Sequence, residues 1–228
     1  PPGTNVVTGK WLFRHKLTSD GSLDRYKARW VLRGFTQAPE WTGETFSLVV
    51  KFATVHAILS LALSRDWTIH QLDVKNAFLY GTLTETVYCS QPTDFVDVAR
   101  PDLVCRLNRY LYGLKQAPRA WYSRFASYLA SIGFVEAKSD TSLFIYRRCD
   151  DTVYLLLYVD DIVLTTSTAD LRRTIVALQR KFAMKDLGPL HHFLVITAER
   201  RSQGLFLPPP LTSSSGLAVR LQALLHSC

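Results

Sequence analysis

Val153-Tyr-Leu-Leu-Leu-Tyr-Val-Asp-Asp-Ile-Val-Leu164 is an apolar run with two adjacent carboxylates, Asp160 and Asp161, in its middle. β-Branched and aromatic residues dominate it, which predicts two buried strands joined by a tight turn at the aspartates. An ionised carboxylate is expensive to take out of water, and a second one beside it adds repulsion. A bound cation resolves the conflict, and hard carboxylate oxygens suit magnesium or manganese. The plainer alternative is an exposed Asp-Asp turn between two core strands.

The rest of the chain bounds what such a site can belong to. Its 228 residues suffice for a core in one domain or in two closely packed subdomains. An apolar fraction of 47% and a charged fraction of 20% are ordinary for a globular protein. No apolar run reaches the roughly 20 residues of a membrane span, and Pro1-Pro2-Gly3 has neither the basic start nor the apolar core of a signal peptide. Cys89, Cys105, Cys149 and Cys228 are scattered, with no Cys-x-x-Cys and no histidine pair to complete a zinc site, and read as reduced thiols. His191 and His192 are adjacent, so on a strand they point to opposite faces and do not share a metal. The net charge is +8, and residues 1–36 hold seven Lys or Arg against Asp20 and Asp24. So local an excess points to a polyanionic partner.

Taken in order, Lys10 to Leu17 and Leu23 to Arg33 flank Thr18-Ser-Asp-Gly-Ser22, a hairpin signal. Alternation places Arg25, Lys27, Arg29 and Arg33 on one strand face, either solvated or gripping phosphates. Phe35 to Lys51, with Pro39 and Gly43, reads as loop. Thr54 to Ser64 has helical spacing, with Thr54 as a possible cap. Trp67 to Val74 is a strand that delivers Asp73 at its end, with His70 as an ordinary polar strand residue. Glu85 to Cys89 and Leu103 to Leu111 are further strands. Gly113 and Pro118 bracket Lys115-Gln116 on a turn that enters a helix bearing Trp121, Phe125, Leu129 and Ile132, closed by Gly133. Gln116 can both donate and accept hydrogen bonds, which suits a group lying against a base pair or sugar. Phe144-Ile-Tyr is a short strand, and Leu171 to Phe182 a second amphipathic helix.

Four of these stretches resemble one family. Tyr158-Val-Asp-Asp161 looks like the catalytic box of reverse transcriptases. Leu72-Asp-Val-Lys-Asn-Ala-Phe-Leu-Tyr-Gly81, Leu111-Tyr-Gly-Leu-Lys-Gln-Ala-Pro-Arg-Ala-Trp121 and Arg25-Tyr-Lys-Ala-Arg29 are similar to the first carboxylate box, the template-and-nucleotide box and the fingers strand of the copia-type retrotransposon enzymes. The resemblance runs from about Gly9 to Leu207, with the boxes in the family's order and spacing.

The resemblance implies an α+β fold: a reverse-transcriptase palm with partial fingers, an antiparallel sheet backed by helices. Residues 1–53 would form the partial fingers, 54–207 the palm with a primer-grip-like segment, and 208–228 a non-native or disordered tail. It implies an RNA-directed DNA polymerase that works on a primer and an RNA or DNA template with deoxynucleoside triphosphates, beside other Pol polyprotein segments and with no membrane. Asp73, Asp160 and Asp161 would hold two magnesium or manganese ions roughly 3.5–4 Å apart. Because strand neighbours face opposite ways, Asp160 takes the direct role and Asp161 a supporting one. Lys27, Arg29, Phe78 and Gln116 would meet the nucleotide, Phe78 as an aromatic gate against a ribose 2′-hydroxyl; Arg25, Arg33, Lys115 and Tyr158 would meet nucleic acid. The expected location is intracellular, in a cytoplasmic particle or the nucleus, and not secreted.

Several positions depart from the family pattern. Leu48 and Phe52 stand where proline is common, and Val195 and Thr197 replace the usual glycine and glutamate of the primer grip. After Leu207 the likeness stops, and Thr212 to Ala218 can be back-translated in a shifted frame to a family-like Asp-Ile-Leu-Glu-Arg-Ala-Gly, as expected of a frameshifted or mis-spliced copy. With a late start in the fingers and no thumb following, at most trace extension is expected. The alternatives are a truncated, catalytically inactive relic that at most binds nucleic acid, and a metal-dependent nuclease, which accounts for neither Phe78 nor the Gln116 turn.

Overall fold

The computed structural model describes residues 6–18, 20–37, 50–167 and 171–190, and four short strands between His192 and Phe206. The expectations for Pro39, Gly43, Leu48, His191, Val195 and the tail from Pro208 lie outside the described residues. In chain order the elements are β1 (Val6–Val7), β2 (Gly9–Leu17), β3 (Leu23–Leu32), α1 (Phe52–Ser64), β4 (Thr68–Val74), β5 (Tyr88–Ser90) and β6 (Val104–Arg106). There follow α2 (Ala117–Ser131), β7 (Val135–Ala137), β8 (Asp140–Arg148), β9 (Asp151–Tyr158), β10 (Asp161–Thr166), α3 (Leu171–Lys181) and β11 (Met184–Pro189). The chain is a mixture of sheets and helices that divides into two compact units. One comprises Pro1–Ser47 and Ala77–Arg124, the other Leu48–Asn76 and Phe125–Cys228.

The second unit is built on a six-stranded sheet in the order β11-β4-β10-β9-β8-β7, with every neighbouring pair antiparallel. Its centre explains why the Val153–Leu164 run does not alternate with polar residues. Leu155, Leu156 and Leu157 are all 0% exposed, because the sheet is covered on both faces. On one face Val55, Ile58 and Leu59 of α1 pack with Leu143, Leu156 and Val163. On the other, the Phe125 ring of α2 meets Phe144 edge-on at 6.4 Å and Phe182 at 5.4 Å. Tyr128 anchors α3 there by donating its hydroxyl to the Ala177 carbonyl at 2.8 Å.

Helix α1 starts two residues before Thr54, at Phe52, and its N-cap residue Lys51 lends no side-chain cap. The cap comes from a strand instead. Asp140 of β8, 4% exposed, accepts from the Lys51 amide at 3.3 Å, the Ser142 amide at 3.0 Å and the Ser142 hydroxyl at 2.6 Å. Burial pushes the Asp140 carboxyl up, but the hydrogen bonds from Ser142, Thr54 and Lys51 outweigh it and hold the group below its ordinary value. Sequence spacing could not show this cap, since its two partners lie 89 positions apart.

In the first unit β2 and β3 pair in an antiparallel ribbon, closed by a turn in which the Thr18 hydroxyl and the Ser22 amide both donate to the Asp20 carboxylate. Gly21 follows at φ +83°, a conformation that costs glycine nothing. A separate three-stranded sheet has the order β1-β5-β6.

Replacing Asp140 by Ala leaves buried donors unpaired, and the expected loss is about 1–3 kcal/mol in urea unfolding at neutral pH. A depressed folded-state pKa gives stability that is present above the ordinary carboxylate value and lost as pH falls through the lowered one. The gap between wild type and Asp140→Ala should therefore narrow on acidification below pH 4.

Candidate active site

Three carboxylates gather at one end of the six-stranded sheet. β4 brings Asp73 to its penultimate position, and β10 begins at Asp161, directly across the ladder from Asp73. Cross-strand partners share a face, with Cβ atoms about 5 Å apart. Asp160 lies outside the ladder, in the two-residue turn between β9 and β10, and its carbonyl accepts from the Val74 amide at 2.8 Å. Val159, the other turn residue, has φ +54°, a costly conformation for a β-branched side chain. The tight turn is thus where the run predicts it, but one residue early. Strand alternation therefore cannot rank Asp160 above Asp161, because Asp160 is not in the strand.

All three carboxylates are half-buried. Burial pushes the Asp161 carboxyl up, the charges of Asp160 and Asp73 add to it, and a hydrogen bond from Gln71 offsets part, leaving a pKa of about 6. Like charges placed opposite one another destabilise a ladder, so the sheet carries an electrostatic cost at this spot. No group of three His, Cys, Asp or Glu side chains among the described residues is arranged to hold a metal ion as it stands. The chemistry of the three carboxylates fits a hard divalent cation, which would relieve the repulsion that raises Asp161. Two neighbours escaped sequence reading. Lys185 of β11 is the ladder partner of Asp73 on its other side, and Gln71 lies two residues before Asp73 on the same face. Nothing in the sequence points to Lys185, since its ladder partner Asp73 lies 112 positions before it. Tyr158 ends β9 as the ladder partner of Asp161.

The first unit holds the remaining predicted residues. Register makes the β2–β3 ribbon two-faced. One face pairs Lys16 with Arg25, Arg14 with Lys27 and Leu12 with Arg29; the other pairs Trp11 with Trp30, Phe13 with Ala28 and His15 with Tyr26. The cationic face is therefore larger than Arg25, Lys27 and Arg29 alone, since Arg14 and Lys16 bring it to five cations. Arg33 falls off this row: β3 ends at Leu32, and the Arg33 amide donates to the Thr8 carbonyl at 2.7 Å. Directly opposed cations destabilise a ladder unless anions lie over them.

Arg29 lies over the ring of Tyr112, 5.1 Å from its centroid, and Phe78 packs against the same ring at 4.6 Å. The structure thus gathers two of the predicted nucleotide residues around Tyr112, which the sequence reading passed over. Phe78 itself is only 8% exposed. Gln116 is 7% exposed and committed at both ends of its amide. Its Nε2 donates to Glu85 Oε1 at 2.7 Å, and its Oε1 accepts from Gln37 Nε2 at 3.1 Å. Gly113 makes the turn possible. Its φ is +98°, and a Cβ there would overlap the Leu32 carbonyl oxygen, so only glycine lets the Lys115-Gln116 segment pass so close to β3.

Residues 1–208 match the reverse transcriptase (RNA-dependent DNA polymerase) family. Over 209 residues the chain is 51% identical to the retrovirus-related Pol polyprotein from transposon RE2 of Arabidopsis thaliana, covering 91% of this chain and 14% of that one. It is 50% identical over 210 residues to the corresponding polyprotein from transposon RE1 of the same plant, again covering 91% of this chain and 14% of the other. Identity to the polyprotein from transposon TNT 1-94 of Nicotiana tabacum is 42% over 212 residues, 91% of this chain and 16% of the relative. The chain spans only 14 to 16% of the length of these curated relatives. On the strength of that match, this chain belongs to the reverse transcriptase (RNA-dependent DNA polymerase) family, as a domain of the copia-type transposon Pol polyproteins.

Proposed function

We propose that the chain carries the nucleotidyl-transfer site of a Pol polyprotein, extending a primer on an RNA or DNA template with deoxynucleoside triphosphates. In this reading the six-stranded sheet is the palm and the two-faced ribbon belongs to the fingers. The observation that carries the reading is the Asp73–Asp161 ladder pair with Asp160 in the adjoining turn. Such a cluster raises its own proton affinity, as Asp161 does, and has a reason to persist only where a cation repays it.

Magnesium or manganese bound there would activate the primer 3′-hydroxyl and neutralise charge on the triphosphate. The residues themselves do the rest. Asp73, Asp160 and Asp161 position the ions, and the rigid sheet beneath them fixes the geometry. Arg14, Lys16, Arg25, Lys27 and Arg29 offer a row of cations to template or triphosphate phosphates. Phe78, backed by Tyr112, supplies an apolar wall against a ribose 2′-hydroxyl. Lys115, Gln116 and Tyr158 complete the contacts with nucleotide and nucleic acid, and other Pol segments supply the remaining grip on the primer.

Primer extension on an RNA template tests the reading. Extension, even at trace level, should require magnesium and vanish in Asp160→Asn; extension indifferent to either would refute it. Nucleic-acid binding with no extension at all would favour the inactive relic.

The pKa of Asp161 gives a check independent of turnover. A raised folded-state pKa means stability that is fully present below the ordinary value and lost as pH rises through about 6. Asp161→Asn should therefore melt higher than wild type at pH 8, with no difference below pH 4. Magnesium should raise the melting temperature of wild type at pH 8 and leave that of Asp161→Asn nearly unchanged.

A third measurement concerns the ribbon. Lys27→Ala and Arg29→Ala should each flatten the log–log salt dependence of nucleic-acid binding by about 0.7 to 0.9. An unchanged slope would mark this face as solvated surface.

A further inference from the structure

Glu85 sits in a bend just before β5, and its half-buried carboxylate ends a chain of hydrogen bonds within the first unit. The Lys115 amide donates to Gln37 Oε1 at 3.0 Å, Gln37 Nε2 to Gln116 Oε1 at 3.1 Å, and Gln116 Nε2 to Glu85 Oε1 at 2.7 Å. Two further donors converge on the same carboxylate: the Tyr110 hydroxyl, 3.3 Å from both oxygens, and the Thr84 hydroxyl at 2.8 Å. Every bond in this series runs toward Glu85. An ionised carboxylate accepts and never donates, and the Lys115 amide at the other end only donates, so the two ends together set Gln116 with its NH2 to Glu85 and its oxygen to Gln37. Without an obligate acceptor at position 85 that end of the series loses its fixed sense, and only the Lys115 amide, acting through Gln37, still opposes a turned-over Gln116.

We propose that Glu85 is a positioning residue for the nucleotide site, fixing through its carboxylate the amide orientation of Gln116 and the turn at Lys115. The inference rests on the reading of Gln116 as a nucleotide contact. Burial tends to push the Glu85 carboxyl up, but the bonds from Gln116, Thr84 and Tyr110 hold it below its ordinary value, so it stays ionised and the orientation stays set throughout the neutral range. The arrangement gives Gln116 one rotamer and one amide sense before any nucleotide arrives, which lowers the ordering cost of binding.

Glu85→Gln keeps the volume and removes the obligation to accept. The test is a double-mutant cycle on the 228-residue chain loaded with an RNA template and DNA primer, measuring affinity for a fluorescent dATP analogue with magnesium. Glu85→Gln should weaken binding about fivefold and Gln116→Ala about tenfold, while the double variant should be no weaker than Gln116→Ala alone. Tyr110→Phe takes one donor from the carboxylate but leaves the Gln116 bond. It should lower the melting temperature and change affinity by less than about twofold. Wild-type affinity in Glu85→Gln with Gln116→Ala impaired would overturn the proposal alone. So would losses that add in the double variant, or a Tyr110→Phe defect as large as that of Glu85→Gln. Wild-type affinity in Gln116→Ala would overturn the nucleotide reading of Gln116, and this proposal with it.

Discussion

Asp73 and Asp161 face each other across an antiparallel ladder, and the second unit is arranged to make that possible. Opposed carboxylates push strands apart, so the pairing has to be enforced by the apolar residues beside it. Leu72 and Ile162, the next pair in the ladder, are both 0% exposed, as are Leu155, Leu156 and Leu157 on the adjoining strand. Burying one such side chain contributes about 1.5–3 kcal/mol, so a handful outweighs the repulsion between two half-solvated carboxylates. The register then follows from burial. A slip of one residue would exchange the side chains of two covered faces that are packed by different partners, α1 on one and Phe125 on the other.

A second constraint, in the other unit, is polar. Gln37, Gln116 and Tyr110 are all nearly buried, and each finds its partner in a series that ends on the Glu85 carboxylate. Buried polar series of this kind specify one arrangement strongly, because every alternative leaves a donor facing a donor. Gly113 serves the same segment by letting the backbone approach β3 where any side chain would collide. The motif Leu111 to Trp121 is thus a piece of precise backbone and amide placement, and Tyr112 within it backs both Arg29 and Phe78.

How much of this was legible beforehand depends on the range over which each feature is determined. The β2–β3 ribbon, the central hairpin and the helices at Trp121 and Leu171 follow from local periodicity, and they stand in the structure where periodicity puts them, apart from shifts at the ends. Features that depend on distant partners were invisible. Asp140 capping α1, Lys185 pairing with Asp73, Glu85 holding Gln116, and Arg14 and Lys16 extending the cationic face are all set by register or tertiary approach. At Arg33 the alternation in the sequence runs one residue beyond β3, which ends at Leu32. Alternation likewise does not apply to Asp160 and Asp161, since the turn takes Asp160 out of the alternating series.

The most direct test of the carboxylate site is manganese binding by electron paramagnetic resonance at pH 8, with the chain titrated in the absence of nucleotide and primer. Wild type should remove free manganese from solution, and Asp73→Asn or Asp161→Asn should weaken that binding by at least about tenfold, as expected when one of few anionic ligands is removed. Equal manganese binding by wild type and by an Asp73→Asn, Asp161→Asn double variant would contradict the account, because the ladder pair would then have no ion to hold.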